Sequence, residues 1–422
     1  MTGDALPSLV SAVPGPRSRA LVDVLARHEC PAITARRARR AAALGAADDD
    51  PVVWDAAVGA NVRDVDGNVF VDLTSGFGVA LLGHRHPAVV AAAAEQAQRL
   101  VHAMGDAWPD RSRIDLLERL AAWGGDGLSV AVLGLSGSDA IDAAVKTAVL
   151  ATGRTGVLAF GGAYHGLALG VLGLQGYEPA FTEPFRGITH PDVVHLPYAA
   201  PMAAVRDVLA TGRIGLVLVE PVLGRGGIRV PPEGWLAELG AAARAAGALV
   251  AHDEIQSGLG RTGARFAGTA AGAVPDLRCV GKALGGGYPL SACCGTPEAM
   301  AHWGPSTGQA LHTQTFLGHP IGCAAALAVL EALDDDAMAA IRARGEALAA
   351  ALTARGLAVR GLGLMRAVAV GTGRGLAASR ALVRAGFLVL PADADSLSLT
   401  PPMTLCDAQI EAFAAACGGA AR

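Results

Sequence analysis

At 422 residues the chain is too long for one small core, so two domains, or one large domain with a smaller lobe, are expected. Hydrophobic residues make up 52% and charged residues 17%, ample material for a buried interior. The net charge of −4 argues against nucleic acid as a partner, and the basic run Arg36-Arg37-Ala38-Arg39-Arg40 reads as a solvated helix face. Seven cysteines, at positions 30, 279, 293, 294, 323, 406 and 417, show no CxxC spacing. Neither a disulfide framework nor a metal site is indicated, Cys293-Cys294 reads as a pair of small core residues, and a reducing cytoplasm fits. The start, Met1-Thr2-Gly3-Asp4-Ala5-Leu6-Pro7, lacks a basic region followed by an apolar stretch, so no signal peptide is expected. Ala-rich apolar stretches are broken by charges and glycines well short of the ~20 residues that a membrane span needs.

Residues 1–50 are Ala/Arg-rich with helical spacing and are expected to pack on the surface or on a partner subunit. The stretch 61–73 reads as a β-hairpin, with alternating apolar residues on either side of an Asp66-Gly67 turn. Gly83-His84-Arg85-His86-Pro87 then opens a helix running to about residue 104. From about 128 to 295 one pattern repeats: a short apolar run, a glycine turn, an Ala-rich helix. The runs are 129–134, 156–160, 214–219, 247–251 and 277–281, and the helices are 139–151, 201–211 and 233–246. This alternation predicts an α/β fold with a mostly parallel sheet covered by helices. Helices at 320–333 and 335–355 come next, then mixed α+β material, read together as a smaller C-terminal lobe.

In parallel sheets ligands gather at the carboxyl ends of strands. Ser136-Gly137-Ser138, Tyr164-His165, Glu220, Asp253 and Lys282 all fall there. Gly137 permits close backbone approach, Ser138 is expected to cap the helix, and the freed N–H groups suit a phosphate, although an ordinary N-cap explains the same residues. Gly258-Leu259-Gly260-Arg261-Thr262-Gly263 matches GxGxxG, but residues 264–269 do not read as the helix of a βαβ unit, so a dinucleotide site is set aside. Asp253 taken alone reads equally well as a structural carboxylate, and Tyr164 as a core tyrosine. Lys282, in Gly281-Lys282-Ala283-Leu284-Gly285-Gly286-Gly287, is set among apolar and glycine residues, a poor design for a surface lysine. Desolvation makes such an amine nucleophilic. An acid facing a cationic ring nitrogen and a desolvated lysine are the two groups that pyridoxal phosphate (PLP) chemistry needs.

Taken in order, these pieces resemble the class III (omega, subgroup II) PLP-dependent aminotransferases of fold type I. The resemblance runs from about Pro51 to Met403. It rests on Asp64-Val65-Asp66-Gly67 with Asp72, Gly83-His84-Arg85-His86-Pro87, Ser136-Gly137-Ser138-Asp139-Ala140, Tyr164-His165-Gly166 and Val219-Glu220-Pro221. It continues with Asp253-Glu254-Ile255-Gln256-Ser257-Gly258, Gly281-Lys282-Ala283, Thr315-Phe316-Leu317-Gly318-His319-Pro320 and Pro401-Pro402-Met403. The resemblance implies a large domain with a seven-stranded-type sheet over 75–318. A small α+β domain would be built from both chain ends, with 1–74 contributing a segment and 319–422 the rest. It further implies that Lys282 forms the Schiff base with PLP and shuttles a proton between substrate carbon and cofactor C4′. Asp253 would pair with the pyridine nitrogen and Gln256 reach the ring 3-oxygen. Gly137 and Ser138 would hold the phosphate, Tyr164 cover one ring face and Glu220 support the aspartate region, with His165 as a ring neighbour. Thr315 would contact the phosphate of the other subunit's site, making an obligate homodimer.

The departures bear on substrate. Family members that use glutamate often carry an arginine three positions before the Pro-Pro pair and a glutamate in Pro-x-x-Gly-Glu. Here Ser398 and Arg225, the latter in Pro221-Val222-Leu223-Gly224-Arg225, occupy those positions. Arg225 is read as a relocated carboxylate clamp or as a solvent-facing loop residue. Leu135 stands where many relatives have asparagine and is expected only to pack. Phe77, in Ser75-Gly76-Phe77-Gly78, is expected to form an apolar pocket wall. The resulting expectation is amino transfer between an amine or ω-amino acid and a keto acid or aldehyde. Alternatives are an amino-acid racemase or epimerase on the same scaffold, an aminomutase, and a PLP-binding regulator without turnover.

Overall fold

The computed structural model describes residues 1–30 and 51–421. The basic run at 36–40 and the rest of 31–50 lie outside the described residues. Two compact units emerge: Met1–His86 with Ala343–Arg360 and Arg366–Arg422, and Pro87–Arg342 with Gly361–Met365.

The first unit begins with the helix Pro16–His28, which buries only Ser18 and Val22. Then come β1 (Trp54–Val58), β2 (Asn61–Asp64) and β3 (Val69–Asp72). The expected hairpin is present. β2 and β3 pair antiparallel, Asp64 N donates to Asn68 O at 3.0 Å, and Gly67 takes the left-handed φ of +96° that the turn requires.

The second unit opens with the helix Pro87–Arg99. It stops five residues earlier than expected, because 100–110 turns back through an isolated Met104–Trp108 bridge. Its sheet contains β4 (Val130–Gly134), β5 (Gly156–Phe160), β6 (Val193–Leu196), β7 (Ile214–Val219), β8 (Leu249–Asp253), β9 (Leu277–Val280) and β10 (Ser291–Gly295). The order is β4-β10-β9-β8-β7-β5-β6, with β10 antiparallel to both neighbours and the other pairings parallel. Two strands were not foreseen. β10 reads Ser-Ala-Cys-Cys-Gly, without the β-branched side chains that mark a strand, and pairing on both sides makes it one. β6 is a four-residue strand at the sheet edge.

β7 is buried at every position, as a sheet covered on both faces demands. Its side chains alternate between two cores. Leu216 and Leu218 pack with Ile141, Ala144 and Ala148 of the helix Gly137–Thr152, together with Cys279 and Cys293. Val217 and Val219 pack with Val205, Trp235, Leu239 and Ala243 of the helices Met202–Leu209 and Trp235–Ala245. This gives a three-layer α/β arrangement, and Cys293 and Cys294 are core residues as expected.

The helix Pro320–Ala332 was expected in the small domain. It groups with the second unit instead, packing on Pro87–Arg99 and Arg111–Gly124. The change of unit therefore falls at 342/343 within the helix Asp335–Thr353, and at 86/87 toward the N-terminus, rather than at 318/319 and 74/75. Toward the C-terminus, β11 (Val359–Leu362), β12 (Met365–Ala369), β13 (Phe387–Leu388), β14 (Leu390–Pro391) and β15 (Ser396–Leu399) complete two four-stranded sheets, β1-β2-β3-β13 and β11-β12-β15-β14, most of whose residues belong to the first unit. The core of this unit joins Val71, Leu73, Leu348, Leu352, Phe387, Leu397, Leu399 and Phe413. Among the described residues no helix is long and apolar enough to cross a membrane.

Candidate active site

The carboxyl ends of β4, β5, β7, β8 and β9 carry the residues singled out from the sequence. β8 runs two residues beyond the expected apolar run, and Asp253 is its last residue. β9 ends at Val280. After Gly281, Lys282 takes a φ of +45°, in the left-handed region that a lysine adopts only when its surroundings impose it. The turn beyond it is held by Leu284 N to Gly281 O at 3.0 Å and Gly286 N to Ala283 O at 3.1 Å.

Lys282 Nζ donates to Gln256 Oε1 at 2.8 Å. Removal from water pushes this amine down to about 8. The Glu220 and Asp253 carboxylates pull it up, and Arg225 and Arg261 add to the depression. Asp253 is buried; its Oδ2 lies 2.7 Å from His165 Nδ1, and its Oδ1 accepts from Ile255 N at 3.1 Å. His165 Nε2 is buried without a partner, so the Nδ1–H tautomer, donating to Asp253, satisfies the ring best. Glu220 is also buried. Its two oxygens accept from Tyr164 N at 2.7 Å and Gly224 N at 2.8 Å, which ties the loops after β5 and β7 together. Burial, reinforced by Asp253, pushes its carboxyl up to about 7.

The helix Gly137–Thr152 points its N-terminus into this group. Its cap is Ser136, not Ser138: Ser136 is the last extended residue, and its hydroxyl accepts from Asp139 N at 3.3 Å. Gly137 and Ser138 are then the first two helical residues, and the helix has no carbonyl to offer their N–H groups. A Cβ on Gly166 would lie 1.9 Å from Ser138 Oγ, so a glycine there keeps room for that hydroxyl. Ile255 bridges the two halves of the site. A Cβ on Gly137 would lie 2.9 Å from its Cδ1, and one on Gly281 3.5 Å from its Cγ2. Leu135 offers its backbone here, donating to Asp139 Oδ2 at 2.9 Å.

Three features were not found from the sequence. Gly224 sits where a Cβ would come within 2.6 Å of Gln256 Oε1 and 3.0 Å of Glu220 Oε2, and nothing in Pro-Val-Leu-Gly-Arg signals that packing. Tyr177 and Phe181 form an aromatic group with Tyr164, at centroid distances of 6.4 and 6.5 Å. The guanidinium carbon of Arg225 lies 4.3 Å from the Tyr164 ring centroid and 5.7 Å from that of Tyr177. No spacing pattern in the sequence links these residues, since the long loop after β5 brings them together.

Gly224→Ala is expected to displace the Gln256 side chain from Lys282 and to cost ~1–3 kcal/mol through overpacking. Thermal unfolding against Gly187→Ala checks this, because a Cβ on the exposed Gly187 would meet nothing within 4 Å. Equal melting temperatures for the two variants would remove the packing argument.

Thr315 lies elsewhere in the second unit, exposed on the segment before the helix Pro320–Ala332. That segment is fastened to the helix Gly137–Thr152. His312 stands 3.4 Å from both Asp139 and Asp142, which raise its pKa to about 9, and Gln314 donates to Asp139. Phe77 and Ser398 belong to the first unit. Phe77 is 63% exposed at a φ of +66°, and Ser398 lies on β15 opposite Ala367.

Comparison with known proteins adds an independent line. The family model described as "Aminotransferase class-III" matches residues 44–417. The acetylornithine aminotransferase of Mycobacterium bovis is 38% identical over 378 residues, covering 87% of this chain and 90% of the relative. Among solved structures, an (S)-enantioselective omega-transaminase from Thermomicrobium roseum superposes with a TM-score of 0.85 at 25% identity, covering 96% of this chain and 98% of the other. An amine transaminase from an uncultivated Pseudomonas species, solved with PLP bound, gives a TM-score of 0.81 at 26% identity, over 88% and 95% of the two chains.

Proposed function

The chain belongs to the class III aminotransferase family, and we propose that its amino transfer runs on the constellation around Lys282. It is a PLP-dependent enzyme of fold type I that moves an amino group between an amine or amino acid and a keto acid or aldehyde. The relatives compared are named as aminotransferases or transaminases, and the epimerase alternative draws no support from them.

The residues present fit the cofactor. A lysine amine of depressed pKa stands ready for its aldehyde. A buried carboxylate, oriented by a histidine and a backbone N–H, suits the pyridine nitrogen. A helix N-terminus, with the side-chain-free Gly166 beside Ser138, suits the phosphate. Bound PLP supplies an electron sink for the electrons of a substrate C–H bond.

The chain's own residues do the rest. With the cofactor bound, Lys282 Nζ would be the positioned general base that carries a proton between the substrate carbon and cofactor C4′. Asp253, held by His165, would face the pyridine nitrogen with its carboxylate. Gln256 turns its oxygen to Lys282, which leaves its amide N–H groups for the ring 3-oxygen. Gly137 and Ser138 would hold the phosphate, and Tyr164 would cover one ring face. Glu220 fixes the loops carrying Tyr164 and Gly224. The donor leaves as a carbonyl compound, and the acceptor takes up the nitrogen.

Thr315 is assigned to the phosphate of a second subunit's site in a homodimer. Its support is the exposed apolar surface around it. Val101, Met104, Trp108, Ile114, Leu311 and Phe316 are all exposed. The two segments that carry them adjoin, with Thr313 bonded to Asp106 and His102 packed on Phe316. A cytoplasmic, reducing setting accords with seven unpaired cysteines, five of them buried.

The observation that carries the reading is the Lys282–Gln256 contact beside the Asp253–His165 pair. The test is incubation of the yellow holoenzyme with one amino compound and no acceptor. Stoichiometric bleaching, reversed by adding a keto acid, is expected. A stable spectrum with loss of enantiomeric excess would instead make it an epimerase.

A further inference from the structure

We propose that Arg225 is the carboxylate-binding residue of this site, held for that task by Tyr164 and Tyr177, so that the enzyme prefers amino or keto compounds bearing a carboxylate. The proposal rests on the amino-transfer reading and goes further by naming the substrate class and a residue, Tyr177, that the family pattern does not point to.

Four observations carry it. First, the guanidinium carbon lies over two aromatic rings, at 4.3 and 5.7 Å from their centroids. A cation held against aromatic rings keeps the N–H fork that fits a carboxylate. Second, among the described residues no Asp or Glu lies within ion-pair distance of Arg225. The side chain is nonetheless only partly exposed. A half-covered cation without an anion has a favourable place for one. Third, Arg225 stands next to the reacting centre, since the adjoining Gly224 fits against Gln256, whose side-chain oxygen accepts from Lys282 Nζ at 2.8 Å. Fourth, its backbone is fixed. Gly224 packs against Gln256 and Glu220, and a Cβ on Gly226 would lie 2.5 Å from Gly162 O. Gly227 N and Ile228 N both bond to Gly224 O, at 3.2 and 3.1 Å. The guanidinium is therefore placed before substrate arrives, which lowers the ordering cost of binding.

The test uses matched donors with the holoenzyme and follows bleaching of the cofactor in single turnover. 4-Aminobutanoate is paired with n-butylamine, and L-alanine with isopropylamine. Each pair exchanges a carboxylate for a methyl group, one remote from the amine and one beside it. Arg225→Gln is expected to slow the carboxylate member of at least one pair by ~10- to 100-fold, the worth of a charge-assisted hydrogen bond, with the amines within threefold. Arg225→Lys should fall between, and Tyr177→Leu should weaken the same preference by ~2- to 5-fold. Calorimetric titration of the holoenzyme with butanoate provides a second reading without turnover, and binding should be lost in Arg225→Gln. Equal slowing of both members of each pair, a wild-type enzyme that accepts only the amines, or unchanged butanoate binding in Arg225→Gln would overturn the proposal. If the wild-type enzyme bleaches with none of the four donors, the amino-transfer reading fails, and the butanoate titration still decides the role of Arg225.

Discussion

Lys282→Ala is expected to lower kcat by about 10⁴-fold or more, while the protein folds and binds PLP without a covalent bond. Loss of a positioned general base alone accounts for ~10²–10⁴-fold, and loss of the nucleophile adds to it. The chain has few substitutes to offer. It contains only two lysines, and the other, Lys146, is engaged with Asp142 at 3.0 Å on the helix Gly137–Thr152. Borohydride reduction of the holoenzyme should therefore label Lys282 alone. Lys282→Arg should be as inactive as the alanine variant, because a guanidinium keeps its proton at any working pH.

The wild-type amine adds a pH signature. Burial sets its pKa at about 8, so its neutral, nucleophilic fraction grows as pH rises through that value and levels off about a unit above it. The rate at which apoprotein takes up PLP should follow this curve, and Lys282→Ala should lack the rise. Multiple turnover by Lys282→Ala would end the assignment.

The second large effect belongs to Asp253. Asparagine has nearly the same shape but no charge. Asp253 accepts from two donors, His165 Nδ1–H and Ile255 N–H. In Asp253→Asn one of those donors would face an amide N–H instead of an oxygen. The pyridine nitrogen would also lose the negative charge proposed to hold it. Removing one partner of a buried charged pair costs about 3–5 kcal/mol, so a fall in kcat of ~150- to 5000-fold is expected. Cofactor should be retained through the phosphate and Lys282, as absorbance after gel filtration would reveal. Activity within tenfold of wild type would mean that the Asp253 charge is not used.

The sequence revealed the parts of the site that lie at strand ends, because a buried parallel strand is a continuous apolar run and a polar residue at its end stands out. Asp253 and Glu220 follow such runs in β8 and β7, and Lys282 follows β9 by one glycine. The hidden parts depend on chain crossings. β10 is a strand because β4 and β9 flank it, not because Cys and Ala prefer extended backbone. The cap at Ser136 rather than Ser138 turns on where the extended backbone ends, which two serines two residues apart do not disclose. Tyr177 reaches Arg225 only because the loop after β5 folds back on the turn after β7. The grouping of Pro320–Ala332 with the second unit reflects its packing on two helices more than 190 residues before it. Local periodicity carries no trace of either.

The tight turn after β7 has a consequence for how this enzyme diversifies. Its glycines carry the structural burden: 224 fits against Gln256 and Glu220, and 226 against Gly162. The side chain between them lies against the Tyr164 and Tyr177 rings and takes no part in that backbone packing. Position 225 is thus free to vary under selection while the turn and the reacting groups stay in place. One codon there can change sign from acid to base and redirect the choice of substrate without a compensating change in the core. A saturation library at that single position should yield variants that fold alike and differ in the compounds they accept.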